Sequence, residues 1–181
     1  MRLHEKLVAS IAVAAACIAP ALAYDFGRRA TPEEIRLWDI DVRPDGKGLP
    51  EGSGTVARGK QVFEENCAAC HGDGGQGGIK DRLVGGQGTL ASDMPVKTVG
   101  SFWPYATTVF DYIRRAMPYP APGSLSDDDT YALTAYILSL NGIISADARL
   151  DKASLPRVRM PNRDGFIPEA EFGPSRGTGK K

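Results

Sequence analysis

Two cysteines and a histidine stand within five residues of each other in the segment Cys67-Ala-Ala-Cys70-His71. This Cys-x-x-Cys-His pattern is the attachment signature of c-type haem. The two thiols add to the vinyl groups of the porphyrin, and the histidine that follows becomes the proximal ligand of the iron. The spacing suits one helical turn, which would place both sulfur atoms along one porphyrin edge. We therefore predict one covalently bound haem c.

Other uses of these three residues need ligands that the chain does not supply. A structural zinc site takes about four nitrogen or sulfur ligands, and an iron–sulfur cluster is held by thiolates in similar number. The sequence has three cysteines and two histidines, and His4 and Cys17 lie in an N-terminal segment that we expect to be removed. A thioredoxin-like pair needs a strand–helix context, which is missing. A plain disulfide stays open, but it leaves His71 without a role.

Methionine is the expected sixth ligand, because no second histidine remains and methionine–histidine ligation is common in c-type cytochromes. Met94, Met117 and Met160 each precede a proline. Met117 stands between two helical patterns, and three of the five residues after it are prolines, which lack an amide donor and restrict φ. We predict Met117 as the distal ligand. The alternative is that Met117 only fills core space, which would leave the iron five-coordinate.

Five further residues are candidates for the haem pocket. Propionates that become buried need hydrogen-bond donors, and arginine, tryptophan and tyrosine side chains supply them. For the arginines a solvated surface position is the alternative, and for the aromatic residues it is an ordinary core position. The candidates are Arg82, Leu83, Trp103, Tyr105 and Arg114.

Three segments with helical periodicity must position these groups, namely residues 55–66, 106–116 and 126–142. Gly59 lies inside the first of them, although glycine in a helix costs about 1 kcal/mol relative to alanine. We therefore predict a close crossing at Gly59 with the last helix, where an aromatic side chain such as Tyr136 could lie over it. The glycine-rich stretch before residue 106 has no periodicity over about 34 residues, too long for an ordinary loop. A porphyrin would give it an apolar plate to wrap.

The ends of the chain have a different character. A short basic start, an apolar run and an Ala-x-Ala sequence ending at residue 23 predict a signal peptide over 1–23. Residues 24–54 are interpreted as an N-terminal extension with a helix that starts at Thr31, and residues 55–142 as the haem domain. Residues 143–181 are expected to form an extended tail, docked at first through Ile143, Ile144 and Leu155.

Charge and export exclude some partners. The chain has 22 basic and 22 acidic residues, and loss of the signal peptide leaves it near neutral, whereas nucleic-acid binders usually carry a basic excess. We expect no membrane span after signal cleavage. Export predicts a periplasmic, oxidising location.

The glycine and aromatic before "CAACH", the late "AMP" and the helix "SDDDTYALTAYILSL" together resemble class I cytochrome c. More narrowly, residues 31–168 are similar to the cytochrome c subunit of periplasmic sulfane and molybdenum sulfite dehydrogenases. The resemblance implies an all-α, cytochrome c-like fold around one covalent haem, with Cys67 and Cys70 as attachment sites, His71 as proximal and Met117 as distal ligand. The sulfane dehydrogenase subunit usually carries a second haem domain, whereas this chain has one Cys-x-x-Cys-His motif.

This reading predicts an electron carrier rather than an enzyme. It would accept single electrons from a molybdenum sulfite or sulfane dehydrogenase and pass them to a downstream cytochrome or oxidase. One alternative is a structural electron-transfer subunit of a stable dehydrogenase complex, bound through residues 24–54 and 143–181. Another is a haem enzyme or sensor with an open iron position, which requires that Met117 does not ligate.

Overall fold

The computed structural model describes residues 27–167, which fall into two compact units. The first ends at Ile40 and the second begins at Asp41. The predicted signal peptide, 1–23, and the last part of the predicted tail, 168–181, lie outside the described residues. Within residues 27–167, no helix combines the length and the apolar character needed to cross a membrane.

The first unit contains helix α1, Pro32–Trp38. The sequence predicts its start from Thr31 as N-cap with Glu34 three residues later, and the structure confirms a complete capping box. The Glu34 amide donates to the Thr31 hydroxyl at 3.2 Å, and the Thr31 amide donates to the Glu34 carboxylate at 2.8 Å. Arg28 also pairs with Glu34. These contacts let a helix of only seven residues form from local interactions.

The second unit is mainly helical, as the sequence predicts, and it also holds a small sheet that the sequence analysis did not predict. Strands β1 and β2 are antiparallel, with Gly54 opposite Leu150. The three predicted helices agree with the observed ones to within two residues at each end. In chain order the elements are β1 (Ser53–Thr55), α2 (Val56–Asn66), α3 (Ala68–His71), α4 (Ala106–Ala116), α5 (Asp127–Leu140), β2 (Arg149–Asp151) and a 3₁₀ turn (Leu155–Arg157).

Helices α2 and α5 cross at Gly59, as predicted. A Cβ atom placed on Gly59 would lie 1.9 Å from the carbonyl oxygen of Ala132, a distance at which no side chain fits. One turn further along each helix, the rings of Phe63 and Tyr136 pack with their centroids 5.4 Å apart. The missing side chain thus brings the two backbones together, and the aromatic pair fills the space beside the crossing.

Helix α5 is the centre of the unit, and residues 130–138 along it are all buried. Its start follows the prediction: the Ser126 hydroxyl accepts from the Asp129 amide at 3.1 Å, and three aspartates in the first turn face the positive end of the helix dipole. The helix ends with Asn141 as C-cap, and Gly142 follows in the left-handed region at φ +67°.

Residues 72–105 contain no helix or strand, and buried side-chain hydrogen bonds organise part of this segment. The Thr98 hydroxyl donates to the Gly85 carbonyl at 2.6 Å, and the Ser101 hydroxyl donates to the Val96 carbonyl at 2.6 Å. Thr98 and Ser101 are both almost fully buried. Hydrogen bonds of buried polar side chains therefore hold part of this segment, for which the sequence predicts contact with a porphyrin.

The segment before β1 packs onto the helices from Asp41 onwards. Val42 is buried, and its amide donates to the Asp111 carboxylate on α4 at 3.0 Å. The Tyr131 hydroxyl on α5 donates to the Pro50 carbonyl at 2.9 Å. The predicted extension, 24–54, is therefore divided between the two units.

The segment after α5 also contributes to the core. Leu155 is fully buried and Ile143 and Ile144 are partly buried, in agreement with the predicted docking residues. Leu150 and Met160 are buried as well. The described part of the predicted tail thus completes the core: β2 pairs with β1, and the residues after β2 add buried side chains.

Candidate haem site

The Cys-x-x-Cys-His segment adopts the predicted single helical turn. Helix α2 ends at Asn66, and the amides of Cys70 and His71 both donate to the Cys67 carbonyl, at 3.0 and 2.9 Å. Helix α3 then stops at Gly72, whose φ is +81°. The turn therefore holds Cys67 and Cys70 at the C-terminal end of α2, the helix that crosses α5.

Cys67 and Cys70 are both free cysteines and both are partly buried. Burial raises the pKa of the Cys67 thiol to about 11, with a smaller contribution from the negative charge that Cys70 can carry. Burial therefore favours the neutral form of this thiol before any bond to a cofactor is made.

The imidazole of His71 is oriented by a backbone group. Its Nδ1 atom lies 2.7 Å from the carbonyl oxygen of Asp81. Because a carbonyl oxygen only accepts hydrogen bonds, Nδ1 is the donor in this contact, and in the neutral imidazole the lone pair that a metal ion requires then lies on Nε2. Residue types alone gave no sign of this contact, because the Asp81 group involved belongs to the main chain.

The three methionines considered as distal ligand lie in different surroundings. Met94 is 82% exposed, and Met160 is 1% exposed within the hydrophobic core. Met117 is partly buried, packs against the core and has an extended backbone immediately after the last residue of α4. A ligand must be held by the protein and yet reach the cofactor. Of the three, only Met117 is neither fully exposed nor fully enclosed, which favours its predicted role.

Several apolar side chains are packed against the core but remain partly exposed, among them Leu83, Trp103 and Met117 together with Cys67. Each of them would gain from contact with a further apolar group, at about 25 cal/mol per Å² of apolar surface removed from water. The chemistry of the two thiols, the imidazole and these partly exposed apolar side chains fits a covalently bound haem.

The other pocket candidates are more dispersed. Arg82 is exposed. The Nε atom of Arg114 donates to the Asp127 carboxylate at 2.8 Å, so part of its charge is already compensated. The Tyr105 ring lies 4.4 Å from the Arg163 guanidinium carbon. The roles of these three residues towards the haem propionates stay predictions, and Arg163 is a neighbour that the sequence analysis did not consider.

Comparison with known proteins shows which family the chain is similar to. A family model described as Cytochrome c matches residues 56–141. A thiosulfate dehydrogenase of Stutzerimonas stutzeri (strain A1501) is 34% identical over 116 residues, which are 61% of this chain and 35% of the relative. Subunit CcoP of the cbb3-type cytochrome c oxidase of Azospirillum sp. (strain B510) is 37% identical over 101 residues, which are 52% of this chain and 32% of the relative. The chain thus spans about a third of the length of these curated relatives.

A solved structure extends the similarity over more of the chain. The crystal structure of the sulfane dehydrogenase SoxCD from Paracoccus pantotrophus contains a chain with 47% sequence identity and a TM-score of 0.75. The match covers 82% of this chain and 74% of that chain. The family match, this structural similarity and the helical fold around a Cys-x-x-Cys-His turn lead to one conclusion: the chain belongs to the cytochrome c family, in its class I form, whose members carry covalently bound haem c.

Proposed function

We propose that the chain is a monohaem c-type cytochrome that transfers single electrons in the periplasm. Cys67 and Cys70 would hold the haem through thioether bonds, His71 would bind the iron through Nε2, and the Met117 sulfur would be the second protein ligand. The bound haem would supply a site that gains and loses one electron without losing a ligand. The observation that carries this proposal is the bond from His71 Nδ1 to the Asp81 carbonyl, which leaves Nε2 available as ligand.

The protein's own contribution would be to hold the two ligands and limit the access of water. Methionine–histidine ligation raises the reduction potential of a haem, and burial tunes it further. Met117 lies at the end of a helix anchored in the core. His71 is oriented by a main-chain acceptor. Neither group needs to move on electron transfer, which suits an electron carrier.

We propose a molybdenum sulfite or sulfane dehydrogenase as the electron donor and a downstream cytochrome or an oxidase as the acceptor. The 47% identity to a chain in a sulfane dehydrogenase structure supports this choice of donor. The similarity to an oxidase subunit supports an oxidase as an acceptor.

A stable subunit of a dehydrogenase complex is the second candidate, and one observation favours it. Helix α1 exposes large apolar side chains, including Leu37 and Trp38, the latter 83% exposed. An apolar surface on a preformed helix is a common feature of protein contacts. Gel filtration of a mixture with the dehydrogenase would separate the candidates: co-elution supports the subunit, and separate elution supports transient exchange.

The function is tested by producing the chain with cytochrome c maturation machinery and reducing the oxidised protein with sulfite and a sulfite dehydrogenase in a stopped-flow instrument. We expect a Soret band, a mass above that of the bare polypeptide by one haem, and reduction much faster than with sulfite alone. Equal rates with and without the dehydrogenase would refute the proposed donor. A protein without covalent haem would refute the whole proposal.

A further inference from the structure

The chain that follows His71 folds into a closed loop around it. The Gly77 amide donates to the His71 carbonyl at 2.8 Å, and the Leu83 amide donates back to Gly75 at 2.7 Å. Within this loop the Asp81 carbonyl accepts from His71 Nδ1. The orientation of the imidazole therefore depends on where the loop holds a single carbonyl group.

One side chain outside the loop ties it to helix α5. The Nδ2 atom of Asn141 donates to the Leu83 carbonyl at 3.2 Å and to the Ile137 carbonyl at 2.9 Å. Its Oδ1 atom accepts from the Gly85 amide at 3.2 Å. Both ends of one amide group thus join residues 83–85 to the last turn of the most buried helix in the unit.

The same short segment is held from its other side. The Gly85 carbonyl accepts from the Thr98 hydroxyl at 2.6 Å, and Thr98 is almost fully buried. Asn141 and Thr98 therefore hold the two main-chain polar groups of Gly85 between them. Because both main-chain polar groups of Gly85 are bonded, the position of residues 83–85 is well defined. Asp81 lies only two residues before this segment.

We propose that Asn141 is a positioning residue for the proximal histidine. By fixing Leu83 and Gly85 to α5, it keeps the Asp81 carbonyl in place, and through that carbonyl it holds the orientation and the tautomer of His71. Groups that orient a metal ligand from outside its immediate coordination matter almost as much as the ligand itself. This inference rests on the proposed role of His71 as the iron ligand.

The test measures hydrogen–deuterium exchange of the His71 Nδ1 proton by NMR in the mature, haem-containing protein. In Asn141→Ala both contacts to the loop are lost, and we expect the proton to exchange about tenfold faster or more, because local opening frees it from the Asp81 carbonyl. Asn141→Asp keeps an oxygen for the Gly85 amide and loses the donation to Leu83, so its rate should fall between those of the wild type and Asn141→Ala. If Asn141→Ala does not accumulate with haem, the exchange rate of the His71 Nδ1 proton in Asn141→Asp is compared with that of the wild type instead.

Asn162→Ala is the matched control. Asn162 is also a partly buried asparagine that donates to a loop carbonyl, that of Phe102 at 2.7 Å, but it lies outside the loop around His71. We expect its exchange rate to stay within about twofold of the wild type. An unchanged rate in the Asn141 variant, or an equal rise in the control, would overturn the inference. A wild-type protein in which His71 does not bind iron would instead overturn the proposed function.

Discussion

Replacing Gly59 with alanine tests the α2–α5 crossing, because the crossing decides whether the substitution lowers or raises the free energy of unfolding. In a helix without close neighbours, alanine is more stable than glycine by about 1 kcal/mol. Here the new methyl carbon would lie 1.9 Å from the Ala132 carbonyl oxygen and 2.7 Å from the Cβ atom of Tyr136. Neither atom can move away by a side-chain rotation, so the two helices must separate.

The cost of the clash exceeds the gain in helix propensity, so we expect a net loss of stability. Overpacking a core costs about 1–3 kcal/mol, and a clash with rigid backbone belongs at or above the upper end of that range. After subtraction of the gain in helix propensity, we expect Gly59→Ala to lower the free energy of unfolding by about 2 kcal/mol. Because the Cys67 turn follows α2 directly, the variant should also yield less haem-containing protein.

Guanidinium unfolding of the haem-containing protein, followed by far-ultraviolet circular dichroism and by Soret absorbance, measures this loss. Ala57→Gly is the matched control, since Ala57 is exposed on the same helix. It should lose up to about 1 kcal/mol through helix propensity alone. A Gly59→Ala protein as stable as the wild type, or more stable, would show that α2 and α5 do not approach closely at this position.

Two further predictions concern the distal ligand and the dependence on pH. Met117→Ala should lose the weak long-wavelength absorbance band that accompanies methionine ligation in the oxidised protein, and this variant should bind added imidazole faster. Met94→Ala should keep the wild-type spectrum, and a band retained in Met117→Ala would exclude Met117 as ligand. The Arg58 guanidinium, 2.8 Å from the Asp129 carboxylate, holds the pKa of Asp129 below its ordinary value. This stabilisation is present above the ordinary carboxyl pKa and is lost as the pH falls. The free energy of unfolding in urea should therefore drop less between pH 7 and about pH 3 in Asp129→Asn than in the wild type. A drop equal to that of the wild type would contradict the assignment.

Features that depend on neighbours along the chain were predictable from the sequence. The capping residues Thr31 and Ser126, the three helical periodicities and the one-turn spacing from Cys67 to His71 all act within a few residues. Gly59 was informative over a longer range because a glycine inside a helix is costly and therefore needs a packing reason. The local signals and the hydrophobic pattern agree, so the helical fold followed from them.

Features that depend on main-chain groups or on distant partners were not predictable in the same way. The Asp81 carbonyl that orients His71 is a group that every residue has, so no residue type marks it. Asn141 looked like a helix stop, and its bonds to Leu83 and Gly85 span more than fifty positions. The strands β1 and β2 have three residues each and no clear alternation, and they pair across almost a hundred residues.

The antiparallel pairing of β1 with β2 places Ser53 opposite Asp151. The pairing therefore brings together the segment that leads into the first long helix and the segment that follows the last one, although they lie almost a hundred residues apart along the chain. Both segments also bury side chains beyond the strands, namely Val42 and Leu49 before β1 and Leu155 and Met160 after β2. A shortened version of the protein that began at β1 and ended at β2 would therefore lose part of its hydrophobic core and should unfold more easily than one that keeps residues 41–160.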